Sequence, residues 1–537
     1  MERLAQRILL LTGWRRAGLA IGLGAVSALA QAPFHLFIVL FATFPALVWL
    51  LDGAVPEGTG RAWLAWLPAF ATGWLFGLGY FTAGLWWISN ALLVEAPEFA
   101  WAIPLAVLGL PAILAVFYGA ACALAWLFWS GGVTRIFALA AAFGLAEWAR
   151  GFVLTGFPWH TLGYAIMPVP VMMQSVALGG IFAMSAFAVL VFALPAQFAA
   201  GRRAGNVASA LSLVLLGAHI GFGAWRLAQA PEPDAADGPV LRLVQPAISQ
   251  ERKMDEASRQ EDFRLLLDLT ALPPGHDAQA PDIVIWPETS VPFILTREPG
   301  ALSAIGEALG EEQALLAGAI REEPAEAGGN RFYNSVMAIS AEGVIDAASD
   351  KVHLVPFGEY LPLAGWLEGI GLRAVAAADR GYSAAPGRAL ITLAGGFTVL
   401  PLICYEAIFP RLVAAPAIAD VDVIVNVTND AWFGRTPGPW QHLHKARLRP
   451  VETGLPMVRV ANNGISAVVD PYGRFVARID IDSRGVTDVT LPSGIQPMLT
   501  SAQRKYTFWL FLAVLSAIAV IGSLRRRRFG RIHRPDD

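Results

Sequence analysis

At 537 residues, with 55% hydrophobic and only 15% charged, the chain is too long for one ordinary domain and too apolar for a wholly soluble protein. A net charge of −3 gives nucleic-acid binding no support. The charge is also uneven, because the first half is almost free of carboxylates, so part of the molecule is expected in a membrane.

Long uncharged runs fill residues 17–51, 62–94, 99–134, 136–146, 161–200 and 207–225. A bilayer crossing needs roughly 20 such residues. The first run suffices for two short helices broken around Gln31-Ala32-Pro33, and the run from Ile136 spans only by continuing past Glu147 and Arg150, which gives an expected seven helices. No cleavable leader is expected, since the opening apolar run leads straight into another. Arg3, Arg7, Arg15 and Arg16, then Arg61, Arg135, Arg202 and Arg203, and finally Arg525 to Arg528 all fall on one side if seven helices precede the polar segment and one follows it. Both termini are then cytoplasmic and the polar segment extracytoplasmic, which predicts a membrane domain at 1–228, a catalytic domain at 229–504 and a final helix with a basic tail at 505–537. Glu147 and Arg150 sit at helical spacing and read as a pair capping the helix at the interface, or as part of a docking surface.

Beyond a Pro-rich and acidic linker at 229–234, short β-rich runs alternate with helical stretches. Strands are expected at 241–244, 283–286, 315–319, 335–339, 399–403, 423–427 and 466–469, and helices at 259–269 and 439–451. This pattern predicts a layered α/β domain whose strands are buried on both faces. The apolar run Phe397 to Ile403 ends on Cys404, followed at once by Tyr405 and Glu406. A structural cysteine sits inside such a run, whereas one at its carboxyl end stands where α/β proteins place chemistry. Two further strand ends carry charge, Glu288 after Trp286-Pro287 and Lys351 after Asp350. A base, an ammonium and a thiol of this kind can converge on one cleft. The other cysteine, Cys122, lies in an apolar run, so no disulfide is expected.

These motifs resemble the Glu-Lys-Cys triad of the nitrilase, or carbon–nitrogen hydrolase, superfamily. The stretches Trp286-Pro287-Glu288-Thr289-Ser290, Leu354 to Tyr360, Asn429-Asp430-Ala431-Trp432-Phe433 and Thr155 to Trp159 look like its membrane-embedded apolipoprotein N-acyltransferase branch. The resemblance implies an αββα sandwich beside a polytopic helical domain in a bacterial inner membrane. It also implies ping-pong transfer of a phospholipid acyl chain, through a thioester, to the amino-terminal cysteine of an apolipoprotein. Glu288 would be the general base, Lys351 the oxyanion stabiliser and Cys404 the nucleophile. Glu359, Tyr405 and Glu406 would support them. Phe357, Trp366, Trp432 and Phe433 are candidate apolar walls for the lipid. No cofactor and no metal are expected, His442 and His444 being a weak ligand pair read as lining their helix, and a monomer is expected. Met254 stands where this branch commonly has an aromatic, and Ser349 where it has tyrosine. A membrane-tethered amidase acting on a small amide would use the same triad; a transporter is disfavoured by the scarcity of paired charges in the spanning runs.

Overall fold

The computed structural model describes residues 1–54, 65–94, 99–232, 238–275, 279–325, 329–362, 381–414 and 420–532. The chain forms two compact units, one comprising Met1–Ser89, Trp101–Gln229 and Met498–Asp537, the other Asn90–Ala100 and Ala230–Pro497.

The first unit is helical. Its longer helices are Gly13–Ser27, Leu40–Asp52, Leu67–Leu85, Leu110–Leu127, Thr134–Arg150, Val176–Ala193, Arg202–Leu227 and Ser501–Ile532. Among the described residues, four stretches are both long and apolar enough to cross a membrane: Ala100–Leu127, Val176–Ala200, Arg202–Leu227 and Ser501–Arg525. Apolar side chains such as Leu213, Val214 and Leu510 stand outward and exposed, which water would penalise and lipid does not. Glu147 and Arg150 are ion-paired and both buried inside this unit, away from any surface. Glu147 also accepts from the Tyr118 hydroxyl at 2.9 Å and the Leu162 N–H at 3.1 Å, while Arg150 donates to the Trp159 carbonyl at 2.7 Å. The pair therefore fastens the 157–162 loop to two helices, which satisfies charges that an apolar surrounding would otherwise expel.

The second unit is a four-layer sandwich. In chain order its strands are β1 (Val240–Gln245), β2 (Ile283–Ile285), β3 (Ala314–Pro324), β4 (Asn330–Ser340), β5 (Ile345–Asp350), β6 (Ile391–Thr392), β7 (Thr398–Ile403), β8 (Val423–Thr428), β9 (Met457–Ala461), β10 (Ser466–Val469), β11 (Phe475–Ile479) and β12 (Gly485–Thr490). One sheet has the order β12-β1-β2-β3-β4-β5 and the other β11-β10-β9-β8-β7-β6. β1, β2 and β3 run parallel, as do β7, β8 and β9, and every other pairing is antiparallel. The two halves thus repeat one five-strand pattern, and each sends its sixth strand to the edge of the other's sheet.

Alternation of side chains explains the layers. Leu241, Leu243, Ile283, Ile285, Val423, Val425 and Val427 face inward between the sheets. The intervening Val244, Val284 and Trp286 pack outward with Phe263 and Leu266 of helix Arg259–Thr270, and Ile424 and Met457 pack with Leu443 and Ala446 of helix Pro437–Ala446. The helix expected at 439–451 is two, Pro437–Ala446 and Leu448–Thr453. Pro450 lacks an N–H and its ring opposes the carbonyl four residues back, so the first helix cannot run through it.

Truncating Ile285, which is fully buried between the sheets, to alanine should cost about 2–5 kcal/mol. Val344→Ala at an exposed turn should change stability by under about 0.5 kcal/mol. Thermal unfolding midpoints in detergent check both, and equal losses would contradict the layer assignment.

Candidate active site

Parallel strands bring their carboxyl ends to one edge of a sheet. β5 is antiparallel to β4, which is antiparallel to β3, so the end of β5 lies with the ends of β2 and β3. This places Glu288, just beyond β2, near Lys351, just beyond β5. In the facing sheet Cys404 follows β7 and Asn429 follows β8.

Each residue is held by a local device. Cys404 has φ +49° where the chain leaves the strand and opens the turn Cys404–Ile408. A side chain there costs roughly 1–2 kcal/mol and needs surrounding support. Glu406 supplies part of it, accepting from the N–H groups of Ile403 at 2.8 Å, Val352 at 2.9 Å and His353 at 3.0 Å, and from Arg388 Nη1 at 3.0 Å. One carboxylate thereby ties the turn after β7 to the segment that carries Lys351. Glu288 precedes Thr289, at φ +43°, and its loop lies flat on β3, where Ser290 donates its N–H to the Gly318 carbonyl at 2.8 Å. A Cβ on Gly318 would stand 2.2 Å from the Pro287 oxygen, so this approach requires glycine.

The side chains then converge. Lys351 Nζ, fully buried, donates to Glu359 Oε1 at 2.8 Å and lies 3.5 Å from Glu288 Oε1. Asn334 Nδ2 donates to both carboxylates, at 2.8 Å to Glu288 and 3.1 Å to Glu359. Glu288 Oε2 accepts from the Asn429 N–H and Glu359 Oε2 from the Val355 N–H, each at 2.8 Å. Burial alone would lower Lys351, but Glu359 and Glu288 hold it well above its ordinary pKa, so it stays an ammonium. Burial, then Glu288, push the Cys404 thiol well above its usual range, with Lys351 and a hydrogen bond to Thr428 opposing them. The thiol is therefore protonated at rest and needs a base at the moment it reacts. The arrangement sets a buried thiol, a carboxylate within electrostatic range of it and a fixed positive charge together.

Two family models match the chain. The carbon-nitrogen hydrolase model covers residues 241–498, and the apolipoprotein N-acyltransferase N-terminal domain covers residues 23–194. The apolipoprotein N-acyltransferase of Agrobacterium fabrum is 52% identical over 525 residues, spanning 98% of this chain and 99% of its own. The chain belongs to the apolipoprotein N-acyltransferase family. It is a multi-pass membrane enzyme of the nitrilase superfamily. The apolipoprotein N-acyltransferase of Brucella suis is 49% identical over 532 residues, 98% of this chain and all of that one. Among solved structures, an amidase from Nesterenkonia sp. is 19% identical, with 48% of this chain and 90% of the amidase covered at a TM-score of 0.33.

In this apolipoprotein N-acyltransferase family member, Glu288, Lys351, Glu359, Cys404 and Glu406 all lie in the one buried cluster. The Tyr405 ring stacks on His353 with centroids 5.8 Å apart and meets Phe409 edge-on at 4.9 Å. Trp432 and Phe433 are half-buried in the turn Asp430–Phe433, and Phe357 is 54% exposed at φ +63°. Trp366 lies outside the described residues. Ser349 is buried on β5 and donates to the Ala389 carbonyl at 2.7 Å.

Sequence reasoning missed Asn334, Asn429 and Arg388, whose roles depend on partners far away in the chain. It also missed Lys253, whose Nζ lies 3.3 Å from the Glu288 carbonyl and is pushed down to about 8 by burial, against the pull of Glu288. The Asn429-Asp430 motif and the segment carrying Lys253 were in view, but neither showed which partners these side chains meet.

Burial works against ionising Glu406, yet Arg388 and the Ile403 N–H hold it below its ordinary 4.5. A depressed carboxyl stabilises the fold above about pH 4.5, and the contribution is lost as the pH falls through its folded value. Glu406→Gln should therefore lose about 3 kcal/mol at pH 7. Its thermal midpoint should converge on that of the parent protein as the pH falls below 4.5 and through the folded-state value of Glu406, and a gap constant with pH would rule out this charge-based role.

Proposed function

We propose that the chain transfers an acyl chain from a phospholipid, through a thioester on Cys404, to the amino-terminal amine of the diacylglyceryl-cysteine of an apolipoprotein. The observation that carries this reading is the buried meeting of Lys351 with Glu288 and Glu359 beside a protonated thiol, in a chain about half identical, end to end, to apolipoprotein N-acyltransferases.

The chemistry follows from the charges. As Cys404 sulfur attacks the ester carbonyl of the phospholipid, Glu288 takes the thiol proton. Lys351 and the Tyr405 N–H oppose the negative charge on the tetrahedral oxygen, each such donor being worth about 3 kcal/mol. Collapse breaks the ester C–O bond, and the lysophospholipid oxygen leaves with the proton from Glu288. The acceptor amine then attacks the thioester, gives its proton to Glu288 and expels the sulfur, which recovers that proton. Sulfur suits this order because a thioester yields to an amine where an oxygen ester resists it. Glu359 fixes the Lys351 ammonium, and Glu406 fixes the turn that carries Cys404.

Phe357, Trp432 and Phe433 are proposed walls for the acyl chain, with Trp366 as a further one. The distribution of arginines supports cytoplasmic termini, seven spanning helices before the catalytic domain at 229–504 and one after it, which places that domain on the periplasmic side of the inner membrane. The protein is proposed to act as a monomer.

A phospholipid with a labelled acyl chain should leave hydroxylamine-sensitive label on Cys404 that passes to a peptide amine. Cys404→Ala should abolish this label without unfolding the protein, and Glu288→Gln should slow single-turnover acylation by at least about 10²-fold. Acyl transfer by Cys404→Ala would eliminate the thioester, and normal acylation in Glu288→Gln would eliminate the base.

A further inference from the structure

Beside Cys404, around its backbone carbonyl, lies a second buried polar cluster that the steps above do not use. His442, on helix Pro437–Ala446, has its Nε2 3.1 Å from the Cys404 carbonyl oxygen and its Nδ1 2.9 Å from Asp430 Oδ1. Arg459 Nη2 donates to Asp430 Oδ2 at 2.7 Å and stands 3.1 Å from His442 Nδ1. Thr428 donates its hydroxyl to Asp430 Oδ1 at 3.0 Å. Asn426, which accepts from Arg459 Nη1, donates to the Leu402 carbonyl at 3.0 Å and reaches the Cys404 carbonyl at 3.5 Å. His442, Arg459 and Asn426 are fully buried, and Asp430 nearly so, in a layer otherwise filled by Leu400, Leu402, Ile424 and Met457. Placing a charged pair and an imidazole in such a layer costs several kcal/mol more than apolar packing would.

The cluster acts on the backbone. A carbonyl oxygen only accepts, so His442 meets the Cys404 oxygen as a donor through Nε2–H, while Nδ1 is held between the Asp430 carboxylate and the Arg459 guanidinium. The peptide joining Cys404 to Tyr405 is planar and trans, so its C=O and N–H point in opposite directions. Fixing the Cys404 oxygen toward His442 turns the Tyr405 N–H the other way. With Cys404 at φ +49°, the turn needs this outside support to keep one orientation.

We propose that His442, braced by Asp430 and Arg459, is a positioning residue for acyl transfer: by anchoring the Cys404 carbonyl it aims the Tyr405 N–H at the oxyanion. The inference rests on the reading above, in which that N–H is an oxyanion donor. It assigns His442 an effect on the transition state without contact with the substrate.

Two reactions of the same sulfur separate this role from a merely structural one. Acylation by a labelled phospholipid builds an oxyanion, whereas alkylation by iodoacetamide is a displacement that builds none. In full-length protein in detergent, His442→Phe should slow single-turnover acylation about 10²-fold, while alkylation of Cys404, followed by mass spectrometry, stays within about threefold of the parent. His442→Gln, which restores an N–H donor, should recover at least about tenfold of the lost rate. Asp430→Asn should show the same split and decides the matter if His442→Phe does not fold. Equal loss of both reactions, or acylation left unchanged, would overturn the proposal. Absence of acylation in the parent protein would instead overturn the thioester reading itself.

Discussion

One buried ammonium underlies the site. Lys351 Nζ, without solvent, sits 2.8 Å from one carboxylate and 3.5 Å from another. Desolvating a lone ammonium costs several kcal/mol, and so does each carboxylate; they are tolerable only together and with the hydrogen bonds from Asn334, Asn429 and Val355. Without Lys351, two negative charges would share Asn334 in a low-dielectric space. Burial first, and Glu288 after it, keep the neighbouring thiol protonated against the opposing charge of Lys351. Such a thiol is a poor target for oxidants, and on the proposed mechanism it becomes a nucleophile only as Glu288 accepts its proton.

Precision comes from backbone contacts on every side of the cluster. Glu406 links the turns after β5 and β7, Gly318 lets the Glu288 loop lie against β3, and the Asn429 N–H joins the end of β8 to the carboxylate after β2. Reactive side chains held by strand ends and their hydrogen bonds keep a fixed geometry with little reorganisation, which is where preorganised electrostatics gains its effect.

The buried strands were legible in the sequence because most residues on both their faces are apolar. The expected strands locate β1, β2, β3, β4, β7, β8 and β10, although Arg242 and Asn426 interrupt β1 and β8, and β3 and β4 extend through polar residues to Pro324 and back to Asn330. β5, with the sequence IDAASD, and β12, with GVTDVT, did not stand out because their partly exposed faces carry polar residues. β9 was hidden by Arg459, a charge placed in a strand for the sake of the cluster beside Cys404, and β6 is only two residues long. Glu288, Lys351 and Cys404 were legible as three polar residues stranded at the ends of apolar runs. Asn334 was not, since it lies within β4 and acquires meaning only when the two carboxylates fold onto it. His442 looked like half of a poor metal pair with His444, because nothing local reveals that its ring reaches a carbonyl 38 residues away.

The reciprocal exchange of β6 and β12 ties the two halves of the sandwich into one assembly step. Glu288 and Lys351 come from the first half and Cys404 from the second, yet neither half can close its own sheet until the other supplies a strand. A chain still being inserted or translated therefore carries Cys404 apart from Glu288 and Lys351. On the proposed mechanism, a partly assembled copy would lack the paired base and thiol needed to cleave the lipids that surround it.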